Sequence, residues 1–174
     1  MPNHCHNDLW IDGTKEVVDA VLAFIGADAS PPRVDFVAIV PTPFAERTAD
    51  AETMSEEDFR AKHGVPLGCL GGDEYNWRCD NCGTKWGAYD VARRDYDGRV
   101  CVTFQTAWAP PLPVIAALHR RFPEAALSME YFERGMPFAG GVTFQRKEYA
   151  EAGWEPGVPE SEWKTDDYQG TRGG

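Results

Sequence analysis

The chain has no run approaching the roughly 18 consecutive apolar residues that a membrane helix needs. That excludes a helical span. Its opening Met-Pro-Asn-His-Cys-His lacks the basic-then-apolar layout of a signal peptide, so a cytoplasmic protein without membrane association is expected. No glycine loop leads into Lys-Ser/Thr, and the glycines from Gly68 to Gly72 have no such partner, which argues against nucleotide phosphate binding. Bases are scarce: 17 Lys and Arg stand against 28 Asp and Glu, a net charge of −11. Broad contact with nucleic acid needs clustered Lys and Arg and is not expected. No internal repeat at solenoid spacing is present. The cysteines, at 5, 69, 79, 82 and 101, are odd in number and form no disulfide framework. A nucleophilic Cys or Ser needs a nearby base that a third group orients, and nothing in the sequence gathers such a set, so the expectation is a non-enzymatic protein.

What is present suits one α+β domain over residues 1–152, with an insertion at about 44–74 and a partly disordered acidic tail at 153–174. The charge is uneven. Residues 46–74 hold eight acids and three bases, and 148–168 hold seven acids and one base, whereas 75–147 hold ten bases and seven acids. Two acidic stretches on a near-neutral body fit a protein partner with a basic surface. Within the second stretch, Glu148, Glu151, Trp154, Glu155 and Trp163 are the candidate partner-binding residues, pairing charge with the aromatics that interfaces favour.

The period-two pattern of His4 to Ile11 predicts a first strand. Thr14 can cap a helix that places Val17, Val18, Val21, Leu22 and Ile25 on one side. After Pro31-Pro32, the apolar run Val34 to Val40 predicts a second strand. Ser55, with Asp58 three residues on, starts a short helix through Phe59. Two strand-like runs, Ala88 to Asp95 and Arg99 to Trp108, flank the hairpin signal Asp97-Gly98. Pro113 opens a helix that runs to Phe122 and leaves His119 on its polar side, facing solvent. Leu127, Met129 and Tyr131 mark one more strand, and Val142 with Phe144 the last.

Cys79 and Cys82, in Cys-Asp-Asn-Cys-Gly, carry the strongest local chemical signal. On a tight turn two thiolates at this spacing can reach one zinc ion, with further ligands to come from Cys69, Cys5 or His4 and His6. The alternatives are a turn holding two small apolar thiols, or a redox pair, although a redox pair wants its second cysteine to open an apolar helix and Gly-Thr-Lys-Trp offers none. Tyr75, Trp77, Trp86 and Tyr89 surround this motif and suit either a binding platform or core.

Three stretches together resemble the phage- and plasmid-encoded YubB-like proteins: Met1 to Asn7 with Leu9 and Ile11, Tyr75 to Asp90, and Phe104 to Pro113 with Phe138 to Gly140. Gly83-Thr-Lys-Trp86 and Thr106-Ala-Trp-Ala-Pro-Pro111 are the most specific of them. The sequence departs from the family pattern at Cys82 and His4, where tryptophan is common. The resemblance implies a ferredoxin-like sheet with two packed helices and brings no catalytic residues. It also implies a mobile-element accessory protein. Together with the acidic stretches, this leads to the expectation of a host-protein binder that inhibits a defence nuclease such as a CRISPR effector. A zinc-stabilised module and a small cysteine-dependent redox enzyme are the alternatives.

Overall fold

Strand β1, His4–Asp12, alternates as its sequence requires: Cys5, Asn7, Leu9 and Ile11 are buried while the residues between them are not. It lies at the centre of an antiparallel five-stranded sheet, described in a computed structural model that covers residues 3–67, 69 and 71–145 apart from the side chain of Thr48. The other strands are β2 (Tyr89–Tyr96), β3 (Arg99–Ala107), β4 (Ala126–Glu133) and β5 (Phe138–Phe144), in the spatial order β2-β3-β1-β4-β5. The first four strands, with helix α1 (Lys15–Ile25) between β1 and β2 and helix α6 (Leu112–Arg121) between β3 and β4, form a ferredoxin-like unit. Strand β5 extends it at one edge through its pairing with β4.

The caps of α1 follow its sequence. Thr14 accepts a hydrogen bond from the Val17 amide, and Gly26 closes the helix in the left-handed region at φ 79°. Val18, Val21, Leu22 and Ile25 then face the core, where they meet Val114, Ile115 and Leu118 of α6 and the inner residues of the strands. Pro113 sits in the first turn of α6, where its missing N–H costs nothing.

The run Val34 to Val40 is not a strand. It contains the one-turn helix α2, Phe36–Ile39, because the Asp35 carboxylate accepts hydrogen bonds from the amides of Val37 and Ala38 and so caps a helix start. Phe36 turns inward onto Phe104, with ring centroids 6.3 Å apart. The edge beside β3 goes to β2 instead. Two further helices follow, α3 (Ala45–Thr53) and α4 (Glu56–His63), then α5 (Gly72–Cys82). Ser55 caps α4 as expected, and Glu46 and Asp50 of α3 pair with Lys62 of α4. The α3 helix joins α5 through Arg47, whose guanidinium lies 3.1 Å from Glu74.

Helices α1, α2 and α6 pack on the sheet face that carries Leu9, Val102, Phe104 and Met129. The opposite face presents Trp10 of β1, Arg94 and Tyr96 of β2, Arg99 of β3 and Phe132 of β4. His119 is on the inner side, contrary to the sequence expectation. It is 7 % exposed and stacks on Phe144 at 5.2 Å, because β5 lies beneath the flank of α6 that helical periodicity alone assigns to solvent.

Candidate functional site

The Cys79–Cys82 motif belongs to the last turn of α5, not to a free turn, and Gly83 ends that helix at φ 76°. Cys82 is 3 % exposed and forms part of the apolar core, and burial raises its thiol pKa. Both thiols lie in the closing turn of the helix, so neither opens a helix as a redox pair would want. The cysteines are free, and among the described residues no group of three or more His, Cys, Asp or Glu is placed to hold a metal. His4 and His6 are on β1 and have other partners: His4 bonds the Tyr89 hydroxyl at 2.7 Å and His6 stacks on Phe132 at 4.6 Å. Burial, then Arg134, lowers the His6 pKa and favours its neutral ring. Glu148, Glu151, Trp154, Glu155 and Trp163 lie outside the described residues, as does the whole tail 153–174.

The structure brings together the two short motifs that stand out in the sequence. From Gly83-Thr-Lys-Trp86, the buried Thr84 hydroxyl donates to the Ala107 carbonyl at 2.9 Å, tying the segment to the end of β3. From Thr106-Ala-Trp-Ala-Pro-Pro111, Trp108 donates its amide to the Asn3 carbonyl at 3.0 Å. The Lys85 ammonium then lies 4.1 Å from the Trp86 ring centroid and 3.9 Å from that of Trp108. Both indoles are exposed, at 40 % and 42 %. The backbone of Trp108 is at φ 70°, a region that costs a bulky residue about 1–2 kcal/mol. The fold accepts that cost at the residue that projects an indole outward, an arrangement that recurs at ligand-holding sites.

Sequence reasoning located both motifs but not their meeting. Lys85 and Trp108 are 23 positions apart along the chain, and only the hairpin β2-β3 returns one to the other.

A second aromatic cluster lies on the sheet face opposite α1, α2 and α6, roughly 20 Å along β1 from His4 at the strand rise of extended chain. Trp10 and Tyr96 have ring centroids 5.2 Å apart, and the Arg99 guanidinium sits 4.3 Å from the Trp10 ring. Trp10, Asp12, Arg99, Ser128 and Thr143 border a shallow depression beside it. The period-two pattern of β1 had put Trp10 on this side, but its partners come from two other strands.

Residues 85–168 match the family described as the ferredoxin-like domain in Api92-like protein. The matched region begins at Lys85 and includes both Trp86 and Trp108. Among solved structures, the crystal structure of a protein api92 from Yersinia pseudotuberculosis aligns with 84 % of this chain and 95 % of that chain, with a TM-score of 0.53 and 11 % identity. At that identity the likeness is one of fold. No curated protein matches the chain. Among the described residues no helix is long and apolar enough to cross a membrane.

Proposed function

We propose that the chain is a non-enzymatic binding domain that engages a protein partner through the sheet face that no described helix covers. One observation carries this: the helices α1, α2 and α6 cover one face, while the other displays Trp10, Tyr96 and Arg99 as a contiguous cluster. Trp, Tyr and Arg are the side chains on which interface energy concentrates. Asp8, Asp12 and Glu130 stand on the same face as Arg94 and Arg99, a mixture of signs that suits a protein surface better than a phosphate backbone.

The net charge of −11 favours a partner with a basic surface, because opposite potentials speed encounter. The resemblance of residues 75–90 and 104–113 to YubB-like proteins supports the most specific form of the proposal. In that form the chain is a phage or plasmid accessory protein in the bacterial cytoplasm, and its partner is a host defence nuclease, such as a CRISPR effector, whose nucleic-acid channel is basic.

Affinity capture from host lysate, with wild type and a Trp10→Ala/Tyr96→Ala variant side by side, tests the proposal. A basic protein retained by wild type and lost by a folded variant is expected, with stoichiometric inhibition if that protein is a nuclease. Equal recovery on both would show that this face is not the binding surface.

A further inference from the structure

The slot between Trp86 and Trp108 is separate from the Trp10 cluster and already holds a cation, its own Lys85. We propose that this slot is a receptor for an arginine side chain of the protein partner, and that Lys85 is a built-in occupant which the incoming guanidinium displaces. The inference rests on the protein-binding function above and adds a site and a ligand chemistry to it.

Three observations support the assignment. First, the two indole faces converge on one ammonium, so the slot is shaped for positive charge. Second, among the described residues Lys85 has no carboxylate partner; only the aromatic faces hold its ammonium, and a flexible side chain so held leaves readily. Third, the walls are tied into the fold. Trp108 is set by its left-handed backbone and by the Asn3 carbonyl, and the Trp86 segment is pinned through buried Thr84.

A guanidinium is planar, more weakly hydrated than an ammonium and stacks on aromatic faces, so it competes with Lys85 for such a slot on favourable terms. The acidity of the chain as a whole draws cationic segments toward it. Single-stranded nucleic acid would instead stack its bases on the indoles and need Lys85 for its phosphates, and that gives it the opposite dependence on Lys85.

The test uses the full chain, with the peptide acetyl-Gly-Arg-Gly-amide as probe and the indole N–H signals of Trp86 and Trp108 in NMR as readout. Saturable shifts of both signals are expected in wild type. Lys85→Ala should tighten binding on the order of tenfold, because the internal competitor is removed, and Lys85→Arg should weaken it. Trp86→Ala and Trp108→Ala should each abolish the shifts, and the exposed Trp86 keeps the test valid if the Trp108 variant does not fold. A Gly-Glu-Gly peptide should leave both signals in place.

Absence of any shift with the Lys85→Ala protein would overturn the assignment, as would weaker peptide binding in that variant. So would tight binding of oligo(dT) that Lys85→Ala destroys, which would identify the slot as a nucleic-acid platform. The Trp10→Ala/Tyr96→Ala variant should still bind the peptide. Loss of peptide binding with partner capture intact therefore refutes the slot alone, and the converse refutes the sheet-face proposal alone.

Discussion

Thr84 donates its hydroxyl hydrogen to the carbonyl oxygen of Ala107 across 2.9 Å, and both residues are at least 98 % buried. This bond fastens the segment that carries Lys85 and Trp86 to the strand end that carries Trp108. Replacing Thr84 with Val keeps the shape and leaves the Ala107 carbonyl with the Ala109 amide as its other donor, so a loss of about 1 kcal/mol is expected in urea unfolding. Tryptophan emission should shift at the same time as the slot loosens. An unchanged midpoint would show that the bond contributes nothing.

Gly83 sets the angle at which that segment leaves α5. Its φ is 76°, and a Cβ there would come 2.9 Å from the Pro110 carbonyl oxygen and 3.0 Å from Pro113 Cδ. Gly83→Ala should cost at least the 1–2 kcal/mol of a left-handed non-glycine residue, because the clash adds to the strain. Thermal unfolding of the variant measures this directly.

Glu74 is 4 % exposed and pairs with Arg47 at 3.1 Å and Arg78 at 2.9 Å. Glu74→Ala removes the anion and leaves two largely buried guanidinium groups, which should destabilise the protein by about 3 kcal/mol. Proteolysis should then begin within 44–63, since Arg47 is the link from α3 to α5. Exchanging all three residues for apolar ones of similar volume should restore most of the stability, which separates loss of the pair from loss of packing.

His119 gives the pH dependence a definite sign. Burial lowers its pKa, and Arg120 adds to this, against the opposing effects of the Ala125 backbone and Glu124. The folded state therefore prefers the neutral ring. Its contribution is complete above the unfolded value, about 6.5, and is lost as pH falls toward the lower folded value. Stability should decline from pH 7 to 5, and His119→Gln should flatten part of that slope. His6 is depressed in the same direction, so the comparison with wild type, not the bare slope, isolates His119.

The cysteines should react with iodoacetamide in the order of their exposure. Cys69 is exposed and Cys79 half-buried, so they should label first in the native protein. Burial pushes the thiols of Cys5 and Cys101 up to about 12 and about 11, and raises that of Cys82, so these three should be protected until unfolding. Labelling of Cys79 faster than that of Cys69 would revive the redox alternative, since a reactive thiol needs a stabilised thiolate.

The sequence by itself determined the elements whose residues interact with near neighbours in the chain. Alternation in β1, the Thr14 and Ser55 caps, Asp97-Gly98 between β2 and β3, and Pro113 at the start of α6 are all local effects, and each is found where the pattern put it. The short-range reading failed where two local signals competed: Asp35 capped a helix inside a run that looked extended. It failed again at His119, where a distant strand supplied the cover. Cys79 and Cys82 were visible as a pair, but their place at the closing turn of a helix, with one thiol in the core, depended on how α5 packs. The closing of the slot was decided by tertiary structure. Lys85 and Trp86 are neighbours in the chain, but the second indole, Trp108, reaches the same ammonium only because the antiparallel return of β2 and β3 brings it there.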